Sequence, residues 1–122
     1  MKRNISKRSS TDDDERQLAE QALFFESDPI ALSDKVELFP KYASYRSLGR
    51  FITRYELFKQ ILHVPGNIIE AGVFTGFGLM AWAKLSSLLE PNHHNRRIIG
   101  FDTFAGFPTV TVQDTKKSDD PD

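Results

Sequence analysis

A glycine-rich turn between a short apolar strand and an apolar helix is the feature that most limits how this chain can fold. Residues 67–72 place two adjacent isoleucines between chain-breaking residues, which is typical of a strand buried on both faces of a parallel sheet. Residues 75–89 are apolar around much of a helical circumference and predict a well-covered helix. Glycines at positions 72, 76 and 78 mark the passage from strand to helix, where they allow tight turns and close approach by a ligand.

A second strand of the same type is predicted over residues 97–102, and a further short strand over 109–112. Strand, helix and strand within about 35 residues form a right-handed βαβ unit, with the ligand crevice at the carboxyl ends of its parallel strands. Two parallel strands cannot complete a sheet, because each needs neighbours and cover on both faces. We therefore expect an α/β, Rossmann-like fold with a parallel sheet, truncated after its first βαβ unit, as the N-terminal half of a longer protein.

The residues before this unit divide into a polar tail and a helical segment. Residues 1–16 change from basic to acidic and predict a disordered tail, although the acidic cluster also suits the N-terminus of a helix. A first helix then ends near Ser27, because Asp28 precedes a proline. Residues 41–64 show the clearest helical periodicity. The predicted organisation is a tail over 1–16, a helical segment over 17–66 and the start of a Rossmann-like domain over 67–122.

Charge and composition exclude several classes of protein. The chain has 122 residues, a formal net charge of −1 and no cysteine. Near-neutrality argues against electrostatic nucleic-acid binding, and the missing thiols exclude disulfides and thiolate metal sites. No apolar run is long enough for a bilayer and the N-terminus lacks the apolar stretch of a secretory signal, so we expect a cytoplasmic protein without membrane partners. His93 and His94 are interpreted as a solvated loop pair, and no metal site is predicted in the chain.

The spacing of the glycines separates two classes of cofactor. A dinucleotide-binding turn has the pattern G-x-G-x-x-G, whereas this chain has G-x-x-x-G-x-G. Glu70 stands two positions before the first glycine, where a carboxylate repels a pyrophosphate and attracts a cationic amino group. Asp102, 30 positions after Gly72, ends the second strand and is placed for ribose hydroxyls. These features favour S-adenosylmethionine, which carries an ammonium, a sulfonium, a carboxylate and a ribose diol.

Structural roles stay open for the same residues. Glu70 is also compatible with a solvated or salt-bridged carboxylate, and Asp102 with a turn-former or helix cap. Arg46, Arg50 and Arg54 on the preceding helix either bring charge to the cofactor carboxylate or lie on a solvated helix surface. The solvated surface is the interpretation adopted for these three arginines.

Two motifs together resemble the macrocin O-methyltransferase family. The first is Glu-x-Gly-Val-x-x-Gly over residues 70–76, and the second is Gly-Phe-Asp-Thr-Phe-x-Gly-Phe-Pro over residues 100–108. Members of that family are class I S-adenosylmethionine-dependent methyltransferases that act on sugar hydroxyls, often in antibiotic or glycan biosynthesis. The resemblance extends over residues 48–108, and it departs from the family at Phe77, where glycine or serine is common.

The resemblance implies an S-adenosylmethionine-dependent O-methyltransferase with the class I fold, acting on the hydroxyl of a small-molecule sugar or nucleotide-sugar acceptor. It places in the cofactor site Glu70, Gly72, Thr75, Gly76, Asp102, Thr103 and Phe104. The last two follow the ribose-binding acid, near the adenine side. The resemblance also allows a homo-oligomer and a magnesium ion, whose ligands would lie with the catalytic base beyond Asp122.

Two other functions are weighed against this one. A nicotinamide-dependent Rossmann oxidoreductase with an unusual glycine loop predicts binding of NADH and not of S-adenosylmethionine. A non-catalytic truncated remnant, which keeps the first half of the fold, predicts that no further βα units follow Asp122. The 122-residue chain by itself is expected to be inactive.

Overall fold

The structure, a computed structural model, describes residues 11–106, which form five helices and two strands. In chain order they are α1 Asp12–Ser27, α2 Leu32–Glu37, α3 Phe39–Tyr42, α4 Tyr45–Gln60, β1 Ile68–Ala71, α5 Phe77–Leu89 and β2 Ile98–Phe101. Residues 1–10 of the expected tail and the strand expected over 109–112 lie outside the described residues. The chain divides into two compact units, Met1–Thr53 and Arg54–Asp122, and the division falls inside α4.

The first unit begins with a helix whose N-terminus is capped by side chains. Asp14 N donates to Thr11 Oγ1 at 3.3 Å, and Thr11 N donates to Asp14 Oδ2 at 3.2 Å, which together make a capping box. The first turn is acidic throughout, which suits the positive end of the helix dipole. Residues 12–16 are therefore helical, so the predicted tail was wrong over that range, and the alternative of a helix that starts in the acidic cluster is confirmed. The predicted end at Ser27 is also confirmed.

The single helix predicted over residues 41–64 is interrupted, because Ser44 starts a new helix. Ser47 N donates to Ser44 Oγ at 3.1 Å, a bond that satisfies a backbone donor in the first turn of α4. The helix then ends at Gln60, before the predicted end. The six-residue helix α2 was not predicted. Its N-cap residue, Ala31, makes no side-chain capping bond, so the sequence has no capping signal for the start of this helix.

The second unit contains the βαβ unit that the sequence predicts. β1 and β2 are parallel and are paired from Ile68 opposite Ile98 onward. Helix α5 contacts both strands. Among the described residues, the buried apolar side chains are Phe58, Ala81 and Leu85. The ring of Phe58 in α4 lies 6.4 Å from that of Trp82 in α5, so an aromatic contact connects the two helices within the second unit.

One face of the sheet is exposed, contrary to the prediction of strands buried on both faces. Burial alternates along β1, and Ile69 is 63% exposed. Phe101 in β2 is 60% exposed, and Leu88 on the helix expected to be well covered is 67% exposed. The physical reason is that, within residues 11–106, a two-stranded sheet has one helix packed on it, and one helix covers one face.

Candidate functional site

The turn that follows β1 is built from left-handed backbone conformations. Gly72 has φ 79° and Gly76 has φ 88°, a region that glycine adopts without steric cost. Gly72 N donates to Phe101 O at 2.7 Å, so the start of the turn is fixed to the end of β2. Gly76 is the N-cap of α5 and has no side chain with which to cap it. No side chain caps the first N–H groups of α5, and a helix N-terminus of this kind favours an anion.

Asp102 links this turn to the loop that follows β2. Phe74 N donates to Asp102 Oδ2 at 2.8 Å, and Phe104 N donates to Oδ1 at 3.1 Å. Both phenylalanines are non-glycine residues in the left-handed region, with φ 52° and 53°. The N–H of Phe74, followed by that of Phe104, holds the pKa of the Asp102 carboxyl below its usual 3.8. The Asp102 carboxylate thus connects two turns that each contain a strained residue. This role is close to the turn-forming alternative weighed for Asp102.

The three remaining turn residues predicted for the site lie at the same edge of the sheet. Thr103 Oγ1 donates to Gly106 O at 3.1 Å and closes the loop after β2. The Phe104 side chain is 79% exposed and that of Phe74 is 52% exposed, so two aromatic rings border the turn. Thr75 is exposed between the two left-handed positions of the first turn. The sequence prediction did not include Phe74, whose position depends on a hydrogen bond across 28 residues.

Glu70 points from β1 toward the beginning of α5. Its carboxylate occupies the space above Gly78, since a Cβ at Gly78 would stand 2.7 Å from Glu70 Cδ. The Glu70 side chain is 18% exposed, and its Oε2 atom is buried without a hydrogen-bond partner. A buried carboxylate oxygen without a donor is costly, so a donor from a water, a ligand or the adjacent Arg54 would be favourable at this atom.

Arg54 is the cation nearest to this carboxylate. Its Nη2 atom lies 4.0 Å from Glu70 Oε1, and its side chain is 25% exposed. The guanidinium also lies 5.4 Å from the ring centroid of Phe77 and 5.7 Å from that of Trp82. The interpretation of Arg54 as a solvated helix residue was therefore wrong, because aromatic rings cover its charged group.

The opposite edge of the sheet, where β2 begins, contains a buried ion pair that the sequence analysis missed. Arg96 Nε donates to Glu90 Oε2 at 2.8 Å, and the two side chains are 4% and 5% exposed. The same guanidinium donates to the carbonyls of Ile61, Val64 and Gly66, which follow the end of α4. The hydrogen bond between the two side chains holds the pKa of Glu90 below its usual 4.5 and raises the pKa of Arg96. Arg96 and Glu90 thus connect the end of α5, the residues before β2 and the segment after α4, at the edge of the sheet opposite the turn.

Residues 11–106 bear on two features that the sequence argued against, a metal site and a membrane-spanning helix. No group of three or more histidine, cysteine, aspartate or glutamate residues in that range is arranged to hold a metal ion. His93 and His94 are exposed, in agreement with a loop pair. In the same range, none of the helices has the length and apolar character needed to cross a bilayer.

Comparison with solved structures identifies the fold. The chain is similar to the apo structure of CalS11, described as a TDP-rhamnose 3′-O-methyltransferase in calicheamicin biosynthesis, with TM-score 0.75 and 28% identity over 81% of this chain and 43% of that chain. It is also similar to a crystal structure of CalS11 described as a calicheamicin methyltransferase, with TM-score 0.79 and 30% identity over 88% of this chain and 42% of that chain. No protein-family model matches the chain, and none of the curated proteins does.

The expected fold class is confirmed by these matches. The chain has the helices and the first βαβ unit of an α/β methyltransferase fold, and it spans less than half the length of the solved chains it matches. The finer resemblance to the macrocin O-methyltransferase family stays a prediction. The roles of the seven predicted cofactor residues also stay predictions, to be judged by binding experiments.

Proposed function

We propose that this chain forms the cofactor-binding half of an S-adenosylmethionine-dependent O-methyltransferase that acts on a sugar hydroxyl. The observation that carries the proposal is the turn from Gly72 to Gly78, which opens helix α5 beside Asp102 at the carboxyl edge of a parallel sheet. The similarity to CalS11 supports methyl transfer to a sugar, because that protein is described as a TDP-rhamnose 3′-O-methyltransferase. Methyl transfer by the whole protein, and its acceptor, are part of the proposal.

The donor atoms in the site fit the polar groups of S-adenosylmethionine. Glu70 has a buried oxygen without a donor, which suits the cofactor ammonium, either directly or through water. The uncapped N-terminus of α5 suits the cofactor carboxylate. Asp102 already accepts bonds from two backbone N–H groups. A carboxylate has about four acceptor positions, so acceptor capacity is left for a ribose hydroxyl.

The contribution of this chain to the chemistry is alignment. S-adenosylmethionine supplies an activated methyl group for an in-line displacement by the acceptor oxygen. Gly72 and Gly76 let the backbone approach the cofactor, and the exposed rings of Phe74 and Phe104 give it apolar surface. Holding donor and acceptor in a near-attack arrangement is worth several orders of magnitude in rate. No residue of this chain is assigned to proton transfer or to the magnesium ion that the resemblance allows.

Equilibrium binding to the full-length protein that contains this chain tests the proposal. We expect calorimetry to detect S-adenosylmethionine, and NADH to give no signal because Glu70 opposes a pyrophosphate. Gly72→Val should abolish binding, since a Cβ at Gly72 meets no protein atom within 4 Å and enters the space left for the ligand. Gly66→Val is the matched control, because Gly66 also has a positive φ, of 128°, and open space around it, but lies before β1.

Each result of this titration has a defined meaning. Wild-type affinity in a folded Gly72→Val variant would refute the placement of the cofactor. Binding of NADH instead would establish the nicotinamide alternative, and binding of neither would favour a non-catalytic remnant. The cytoplasmic location and the homo-oligomer stay predictions that this experiment does not address.

A further inference from the structure

The contacts of Arg54 suggest that its task is to hold another side chain. Its guanidinium lies near the rings of Phe77 and Trp82 and 4.0 Å from Glu70 Oε1. Contacts with two rings restrict a flat guanidinium more than an ion pair in solvent does. Arg54 is thus a restrained cation on α4 whose anionic neighbour is a carboxylate of the candidate cofactor site.

The Glu70 carboxylate lies in the space beside Gly78. Gly78 is the second residue of α5, it is buried, and a Cβ there would collide with the Glu70 carboxylate. The collision involves the carboxyl end of the Glu70 side chain, so its cost depends on whether that end is held in place. The partial positive charge at the start of a helix also favours an anion at this position.

We propose that Arg54 is a positioning residue, which holds the Glu70 carboxylate in the seat that Gly78 leaves open at the start of α5. The inference rests on the proposed function, in which Glu70 meets the ammonium of S-adenosylmethionine. A glutamate without restraint has several rotamers, and immobilising it when the ligand binds reduces affinity. Arg54 fixes that geometry before the cofactor binds.

The seat is tested first without any cofactor, by thermal melting. Gly78→Ala should lower the melting midpoint by about 5 °C or more, because the new methyl group displaces the Glu70 carboxylate. In a Glu70→Ala background the same substitution should raise the midpoint, since alanine is the better helix former once the collision is removed. Gly49→Ala in α4 is the matched control, because a Cβ there meets nothing within 4 Å and should be stabilising in both backgrounds. A Gly78→Ala effect of the same sign in both backgrounds would overturn the seat.

The positioning role is tested by calorimetry with two ligands. Arg54→Ala should weaken S-adenosylmethionine binding about tenfold, which is about 1.4 kcal/mol, and Arg54→Lys should weaken it less because it keeps the charge. Affinity for 5′-methylthioadenosine, which has no ammonium, should stay unchanged in both variants. Lys84→Ala removes an exposed cation from α5 and should bind both ligands like the wild type.

The outcomes separate this inference from the proposed function. If the wild type does not bind S-adenosylmethionine, the proposed function and the positioning role both fall, whereas the seat is still judged by the melting experiment. If the wild type binds and Arg54→Ala binds equally well, the positioning role alone is overturned. Tighter binding by Arg54→Ala would also overturn it, because Arg54 would then compete with the ammonium for Glu70. Equal weakening for both ligands would show a general structural defect and would overturn it as well.

Discussion

The two compact units of this chain are stabilised by different kinds of contact. In the N-terminal unit, among residues 11–53, the buried residue is Lys35, whose ammonium lies 4.7 Å from the Phe25 ring centroid and donates to the Phe25 carbonyl. Around it, Tyr42 and Lys41 donate to one carboxylate oxygen of Asp28 at 2.8 and 2.7 Å. Contacts among α1, α2 and α3 in this unit are therefore polar, cation–π and aromatic, and Tyr42 also packs edge-on against Phe25 with ring centroids 5.2 Å apart.

The second unit has an apolar core and a buried ion pair instead. Phe58 and Leu85 are completely buried, and the side chains of Arg96 and Glu90 are 4% and 5% exposed. Apolar burial is worth about 1.5–3 kcal/mol for each large side chain, whereas an exposed ion pair contributes about 0–1 kcal/mol. The candidate site therefore lies in the unit that contains the buried apolar side chains, and their packing supports a turn with positive φ angles.

The largest effect is expected when the buried pair of the second unit is broken. Arg96→Ala leaves the Glu90 carboxylate buried without its partner and frees three backbone carbonyls, so we expect a loss of about 3–5 kcal/mol in the free energy of unfolding. The measurement is urea unfolding. Arg97→Ala, an adjacent and exposed arginine, is the control and should change stability by about 0.5 kcal/mol or less. Equal effects for the two arginines would contradict the stabilising contribution of the buried Arg96–Glu90 pair.

The next effect concerns the Asp102 carboxylate, which connects the two turns of the candidate site in the second unit. Asp102→Ala removes the acceptor for the Phe74 and Phe104 N–H groups and should weaken S-adenosylmethionine binding about 10- to 150-fold. Amide hydrogen exchange at both phenylalanines should accelerate, while cooperative melting persists. Asp102→Asn should lose less, because its amide oxygen still accepts one bond. If Asp102→Ala binds the cofactor as tightly as the wild type, the residue is a turn-former alone.

A smaller effect is expected at the start of the N-terminal unit. Thr11→Ala removes half of the capping box of α1 and should cost about 1 kcal/mol of helix stability. Circular dichroism during thermal melting measures the loss. Thr53→Ala is a suitable control, since the Thr53 hydroxyl donates to the Gly49 carbonyl on an exposed helix face and satisfies no terminal donor. A larger loss from Thr53→Ala would show that capping does not set the stability of this region.

The smallest effect is acid sensitivity of the polar contacts in the N-terminal unit. The side chain of Lys41, followed by that of Tyr42, holds the pKa of Asp28 below its usual 3.8. The unfolded chain binds a proton at the higher pKa, so the stabilisation is complete above that value and is lost as the pH falls through it toward the folded pKa. In Asp28→Asn, the helical circular-dichroism signal of this unit should change less with pH below about pH 4. An unchanged acid transition in Asp28→Asn would assign it to other carboxylates.

The order of the elements in the second unit could be predicted because its signals are local. Adjacent isoleucines, the glycines of the turn and the apolar helix each act within a few residues, and β1, α5 and β2 lie where these patterns place them. The break before α4 was harder to predict, because apolar periodicity continues through Ser44 and only the capping bond shows where one helix ends and the next begins.

The βαβ unit, a glycine turn between β1 and α5, and the position of Asp102 at a strand end could all be predicted from the sequence. The folded structure was needed to show that Asp102 is bonded to backbone across 28 residues and that Arg54 lies beside Glu70. It was also needed to show that Arg96 donates to carbonyls of the segment after α4, 30 or more residues away. Backbone preference and periodicity are properties of neighbouring residues, whereas the partner of a charged side chain depends on which distant surfaces pack together. A charge in a sequence therefore shows that a partner is needed, and only the folded chain selects it.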